Sequence, residues 1–290
     1  MTEKNRSSAV ALGFFDGLHL GHIEVIKRAL LKDGLCSVVF TFNDKTSLPK
    51  FSGKKGHCII THEQKTEIFA GLGVETVYAP DFSDVKDFSA REFVEKILRD
   101  KLNAAFVVCG YDFRFGKGGE GNPETLRQLC SEYGMECEVV PAVTVDGETV
   151  SSTVIREKIR QGDIEGANRY LGYELSYKLP VNEGSKIGRT IGFPTINQVI
   201  PEYMVRPRNG VYKSWAIVNG RTYRSITNIG VKPTVNYTGQ SLMETHIIGF
   251  DGDLYGQEIR VALREFIRDE VKFDSLEELK KQLDLDKTEA

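Results

Sequence analysis

Gly13-Phe14-Phe15-Asp16-Gly17-Leu18-His19-Leu20-Gly21-His22 is the stretch on which the fold turns. Before it, residues 8–13 form an apolar run of strand length that reads as a buried strand. After it, residues 21–32 place Ile23, Ile26 and Leu30 on one helical face. A strand, a glycine-bearing turn and a helix open an α/β unit, and open α/β sheets bind ligands at the carboxyl ends of their strands. Gly13 and Gly17 permit a tight turn and close backbone approach, and the amides at the start of the helix favour phosphate. His19 and His22 lie three apart, so both imidazoles reach one ligand at the helix mouth. There they can donate hydrogen bonds to oxygens that gain charge as phosphorus becomes five-coordinate. The bare spacing leaves two other readings open: surface histidines of a glycine-rich turn, or a metal pair with no evident third ligand.

Working outward, the first half repeats the alternation. Residues 36–42 read as a second strand, and Thr61 with Gln64 forms a capping box for a helix running towards Leu72. Residues 74–79 are strand-like, and Ser89 with Glu92 repeats the capping box before a helix ending near Leu102. Residues 104–109 are another apolar strand, followed by a helix over 123–133 with Pro123 just inside its start. This pattern predicts a doubly wound parallel sheet with helices on both faces.

Beyond about residue 172 helical spacing gives way to alternating strands. Asn219-Gly220 between residues 211–218 and 221–228 predicts a hairpin, and Asp251-Gly252 marks another turn. A last helix is expected from Ser275, capped with Glu278, with Leu276, Leu279 and Leu283 on one face. The second half is therefore expected to be a small antiparallel β-barrel with a C-terminal helix. The domains expected are residues 1–172 and 173–290, with the helical stretch 151–172 as the join.

Composition narrows the function classes. A length of 290 residues favours two domains, and 40% apolar with 27% charged residues suits a folded globular chain. The formal net charge of −3, with no local basic patch, argues against nucleic-acid or anionic-membrane partners. The longest apolar runs, such as residues 104–109, are far too short to span a bilayer. Lys4 and Arg6 precede the apolar residues 9–15, but that run lacks a small-residue cleavage site and reads as the first strand. Five cysteines, an odd number without a CxxC pair, suit a reducing compartment, so the cytoplasm is expected.

A second candidate site lies in residues 183–197. Gly184, Gly188 and Gly192 with Lys186 and Arg189 suit a flexible phosphate-covering loop. Thr195 and Asn197 are two apart and so share one side of an extended segment. Their hard oxygens suit Mg²⁺, with ATP phosphates and water completing the shell. On composition alone a plain turn remains open for this stretch.

These stretches carry a resemblance. GFFDGLHLGH resembles the HxGH nucleotidyltransferase signature in the form found in the prokaryotic bifunctional FAD synthetases. Gly110 to Asn122 (GYDFRFGKGGEGN) and Ser151 to Arg156 (SSTVIR) agree with that family in its order. The second half is similar to the family's riboflavin kinase domain in residues 183–197, 208–212 (RNGVY), 228–234 (NIGVKPT), 243–256 (METHIIGFDGDLYG) and 266–273 (FIRDEVKF).

The resemblance implies two ATP-dependent steps: riboflavin to FMN with ADP, and FMN to FAD with pyrophosphate. It implies that His19 and His22 stabilise the ATP α-phosphate in the transition state, beside Gly13, Asp16 and Gly17 of the same turn. Ser152, Thr153 and Arg156 would grip the β- and γ-phosphates, and Asp112 and Arg114 would line the nucleotide or flavin pocket. In the second half it implies Glu244 as general base, Thr195 and Asn197 as Mg²⁺ ligands, and the loop from Gly184 through Lys186 and Gly188 to Arg189 over ATP. His246 reads as structural.

The departures are Asp44-Lys45-Thr46 where the family shows Pro-His-Pro, Gly119 and Glu120 in a loop usually more basic, and Leu179 where glycine is common. The Asp44-Lys45-Thr46 departure motivates a rival, a riboflavin kinase with a weakened or vestigial adenylylating half. Two further rivals are another HxGH nucleotidyltransferase and a non-catalytic flavin-sensing barrel.

Overall fold

The structure is a computed structural model that describes residues 6–43, 58–184, 188, 192–231 and 241–289. The described residues group into two compact units. The first holds those before residue 44 and Thr61–Ser152; the second holds those from 58 to Ile60 and from Thr153 onward.

The first unit is built on five parallel strands, β1 Ser8–Leu12, β2 Cys36–Phe40, β3 Thr76–Tyr78, β4 Ala104–Gly110 and β5 Glu136–Val140. Their order is β3-β2-β1-β4-β5. All of β1 is buried, as its unbroken apolar run requires of a central parallel strand. Its helices are α1 Leu20–Leu30, α2 His62–Leu72, the short α3 Phe82–Val85, α4 Ala90–Glu92 and α5 Pro123–Glu132. α4 continues over Phe93–Lys101 in π-helical geometry.

Both sequence-read capping boxes form, Thr61 with Gln64 and Ser89 with Glu92. Val10 and Leu12 share a core with Val94, Leu98, Leu126 and Leu129, the face covered by α5 and the π-helical turn. α1 lies against β1, β2 and β4, so by strand alternation it covers the opposite face. The order reverses at β1/β4, the switch point at whose carboxyl end such sheets bind ligands. A small hairpin, β6 Thr144–Val145 and β7 Glu148–Thr149, leads out of this unit.

The second unit starts with two helices, α6 Ser152–Gln161 and α7 Ile164–Leu171. It then forms six strands, β8 Ser176–Pro180, β9 Thr195–Ile200, β10 Gly210–Val218, β11 Arg221–Val231, β12 Ser241–Ile247 and β13 Glu258–Arg268. α6 opens at Ser152, the last residue of the first unit. The strands pair antiparallel in the order β8-β13-β10-β11-β12-β9.

The two end strands nearly close a barrel. Asn182 N–H donates to the Asn197 carbonyl at 2.7 Å, and the buried Gln198 Nε2 donates to the carbonyls of Leu179 (2.6 Å) and Ile259 (2.8 Å). The β10–β11 turn is Asn219-Gly220 with φ of 49° and 74°, the left-handed pair that an Asn-Gly hairpin turn supplies. Inside the barrel the hydroxyls of Ser225, Ser214, Thr227 and Thr245 form a chain at 2.8, 2.8 and 2.9 Å, so these buried polar groups are satisfied.

α7 was expected before the seam near residue 172, yet it groups with the barrel. Ile164, Ala167, Tyr170 and Leu171 are buried, and Asn168 Nδ2 donates to the Leu263 carbonyl of β13 at 3.0 Å.

The final helix, α8 Leu276–Glu289, starts where expected, with the Ser275 hydroxyl accepting from Glu278 N–H at 3.2 Å. Of the expected leucine face, Leu279 and Leu283 are half-buried. Leu276 is exposed, whereas Asp286 is buried and takes a bidentate ion pair from Arg268 at 2.9 and 2.6 Å.

Candidate functional site

At the switch point, the chain leaves β1 through a turn that only a dense set of anchors can hold. Phe15 and Leu18 have φ of 55° and 39°, left-handed conformations that cost a non-glycine residue on the order of 1–3 kcal/mol each. Gly17 (φ 77°) takes the third without that cost. The Phe15 ring folds back over Gly13, where a Cβ would lie 2.7 Å from it, and meets His22 and Phe69 edge-on at 5.3 and 5.9 Å. The Phe14 carbonyl accepts from Thr41 Oγ1 at 3.0 Å and from Lys65 Nζ at 3.3 Å. The Asp16 carbonyl accepts from Ser152 Oγ at 2.8 Å.

This turn delivers His19 to the N-cap of α1. Its Nδ1 accepts from the His22 backbone N–H at 3.3 Å, and the two imidazoles stack at 3.6 Å. An Nδ1 that accepts is unprotonated, so the neutral His19 ring carries its proton on Nε2 and can donate from there. Asp16 and His19 are buried and His22 is half-buried.

The loop after β4 supplies the other rim of the switch point. Phe113 N–H donates to the Gly110 carbonyl, and Phe115 bridges to Gly121. Phe113 and Phe115 stack at 5.7 Å, which leaves the alternate residues Asp112 and Arg114 exposed. Glu120, a departure from a basic loop, caps α4 by accepting from Ala90 N–H at 2.8 Å. On α6, Arg156 follows Ser152 by one helical turn and so shares its face; Thr153 is exposed.

In the barrel, strand register assembles the second site. Asn197 on β9 pairs directly with Glu244 on β12, and Thr195 pairs with His246. Directly opposed residues share a face, so all four point the same way. Glu244 is also opposite Asn228 on β11, whose Nδ2 donates to Glu270 Oε1 at 3.3 Å.

Gly184 and Gly188 of the preceding loop lie against the same residues. A Cβ on Gly184 would sit 2.3 Å from the Asn197 amide, and one on Gly188 would strike the Phe193 carbonyl at 2.2 Å and approach Thr195 Oγ1. His246 Nδ1 bonds the Pro194 carbonyl at 2.9 Å, and burial lowers its pKa. Lys186 and Arg189 lie outside the described residues, as do Asp44-Lys45-Thr46 and residues 232–234.

Sequence reasoning missed Thr41, Lys65 and Phe15, which hold the first turn, and Asn228 with Glu270, which flank Glu244. Thr41 and Lys65 lie outside the quoted motifs; Phe15, Asn228 and Glu270 fall within them, but only register and packing show what they touch.

Residues 1–154 match the FAD synthetase family and residues 171–290 the riboflavin kinase family. The chain is 36% identical to the bifunctional riboflavin kinase/FMN adenylyltransferase of Bacillus subtilis, covering 99% of this chain and 93% of that one. This chain belongs to the bifunctional riboflavin kinase/FMN adenylyltransferase family. The member from Listeria monocytogenes is also 36% identical (97% and 90% covered), and that from Escherichia coli is 33% identical (97% and 91%). A crystal structure described as a macrolide-efflux protein from Streptococcus pneumoniae superposes with a TM-score of 0.86 at 32% identity, covering 98% of this chain and 95% of that one. No helix among the described residues of this family member is long and apolar enough to cross a membrane.

Proposed function

We propose that the barrel unit phosphorylates riboflavin to FMN with ATP, releasing ADP, and that the parallel-sheet unit adenylylates FMN to FAD, releasing pyrophosphate. The observation that carries this reading is the direct pairing of Glu244 with Asn197 on the face that also holds Thr195 and the loop glycines. A carboxylate beside hard-oxygen donors and a phosphate loop is a kinase arrangement.

In the kinase step Glu244 accepts the proton of the riboflavin 5′-hydroxyl as that oxygen bonds the γ-phosphorus. A well-placed weak base suffices, because the proton leaves late in a loose phosphoryl transfer. ATP-using families of this kind need a divalent cation. Among the described residues no group of three or more His, Cys, Asp or Glu stands ready as a cage. Two neutral oxygens, the Thr195 hydroxyl and the Asn197 amide, instead fit Mg²⁺, which keeps water and phosphate in its shell. Held by Thr195 and Asn197, Mg²⁺ would supply charge neutralisation for the ATP phosphates.

In the adenylyl step the FMN phosphate attacks the ATP α-phosphorus. His19, through Nε2–H, and His22 donate to its oxygens while charge builds. Gly13, Asp16 and Gly17 shape the turn, Ser152, Thr153 and Arg156 take the departing β- and γ-phosphates, and Asp112 with Arg114 lines the base or flavin. Lys186 and Arg189 would join Gly184 and Gly188 over ATP in the kinase site.

We place the seam of the two functions near residue 172 and the protein in the cytoplasm, where five free cysteines are at home. The test is incubation with riboflavin and MgATP, followed by separation of riboflavin, FMN and FAD. FAD is expected. FMN alone would overturn the role of the first unit, and no product would overturn both.

A further inference from the structure

Lys65 is among the largest fully buried side chains of the protein, with 2% of its surface exposed. It projects from α2, four residues before Phe69, so both share one face of that helix. The two residues act on adjacent points of the turn after β1. Lys65 Nζ bonds the Phe14 carbonyl and lies 4.6 Å from the centre of the Phe14 ring, while Phe69 supports the Phe15 ring that abuts His22.

The Phe14 carbonyl also accepts from the buried Thr41 hydroxyl, so side chains from two separate segments converge on one oxygen of the turn. A cation on a carbonyl polarises the whole peptide unit, and the N–H of the Phe14–Phe15 peptide points to the opposite side from Lys65.

We propose that Lys65 is a positioning residue for adenylyl transfer. With Thr41 it clamps the Phe14 carbonyl, holds the left-handed Phe15 in place, and so sets the turn's amides and the His22 ring against the ATP phosphates. This rests on the reading that the first unit adenylylates FMN.

The test compares Lys65→Met, Lys65→Arg and Thr41→Val in the full chain, with FMN and FAD formation measured separately. Lys65→Met should lower kcat for FAD formation by about 10- to 100-fold, the scale of a slightly misplaced site, with the KM for ATP and FMN nearly unchanged. Riboflavin phosphorylation and Tm should hold, and Lys65→Arg should restore part of kcat. Combining Lys65→Met with Thr41→Val should be non-additive, because both act on one carbonyl.

An unchanged kcat in folded Lys65→Met overturns the proposal. So does a loss confined to KM, which would mean direct ligand contact, or a kcat loss that tracks a fall in Tm and is not relieved by arginine. Should Lys65→Met not accumulate, Lys65→Arg and Thr41→Val decide: wild-type kcat in Thr41→Val, or a loss in Lys65→Arg matched by its Tm, counts against it. Wild-type protein that makes no FAD would instead refute the functional reading itself.

Discussion

Glu244 on β12 stands directly opposite Asn197 on β9, and Asn197 in turn fills the space where a Cβ of Gly184 would be. The candidate base, one candidate metal ligand and the start of the candidate phosphate loop thereby meet at one rung of the barrel. Glu244→Gln keeps this shape and removes the proton acceptor. FMN formation should fall by on the order of 10²–10⁴ with Tm little changed. Near-normal turnover would move the base elsewhere.

Asn197→Ala removes an amide oxygen from the same rung. The Mg²⁺ and ATP concentrations needed for half-maximal FMN formation should both rise, while FAD formation from supplied FMN should not change. Superimposable metal titrations of wild type and variant would show that Asn197 is not a ligand.

His22 stacks on His19 and is braced by Phe15. In His22→Ala, FAD formation from FMN should drop by on the order of 10²–10³, the usual effect of losing one donor to a developing oxyanion, with FMN formation intact. A folded variant with wild-type FAD synthesis would remove His22 from the mechanism.

α7 belongs energetically to the barrel, since Asn168 donates to the Leu263 carbonyl and accepts from Leu175 N–H at 2.7 Å. A fragment of residues 153–290 should fold and make FMN but no FAD. One of residues 176–290 should also make FMN but melt lower, because each buried hydrogen bond lost costs about 1 kcal/mol before the apolar face of α7 is counted. Equal melting of the two fragments would show that α7 contributes nothing to the barrel.

Glu92 gives the first unit an acid-sensitive cap. Hydrogen bonds from Lys96, then from Ser89, hold its pKa down from 4.5 to about 2. A depressed folded-state pKa stabilises the unit above the unfolded value and loses that stabilisation as pH falls through the folded one. Glu92→Gln should therefore lower the melting temperature of the first unit at pH 7, and the gap should close between pH 4.5 and about 2. A gap that does not vary with pH would mean the carboxylate charge is not what stabilises the cap.

Much of this was legible in the chain because it depends on neighbours in sequence. The capping boxes at Thr61–Gln64 and Ser89–Glu92 need only a three-residue spacing, and the Asn219-Gly220 hairpin needs only two left-handed residues. The strand–turn–helix around Gly13–His22 is local for the same reason. Leu276 is exposed although Leu279 and Leu283 of the same expected face are half-buried, because a helical face shows which residues can be buried, not whether a neighbour covers them; α8 is also tied by Asp286 to Arg268, eighteen residues apart.

The sequence by itself thus determined the two architectures, the turn that carries His19 and His22, and the two-residue spacing of Thr195 and Asn197. Those features arise from backbone propensity and periodicity within about ten residues. Only the tertiary structure decided that Asn197 faces Glu244, 47 positions away in the numbering, that Lys65 and Thr41 converge on the Phe14 carbonyl, and that α7 joins the barrel. Such pairings depend on strand order, register and burial, which are set by closing long loops around a core and leave no local mark on the residues that meet.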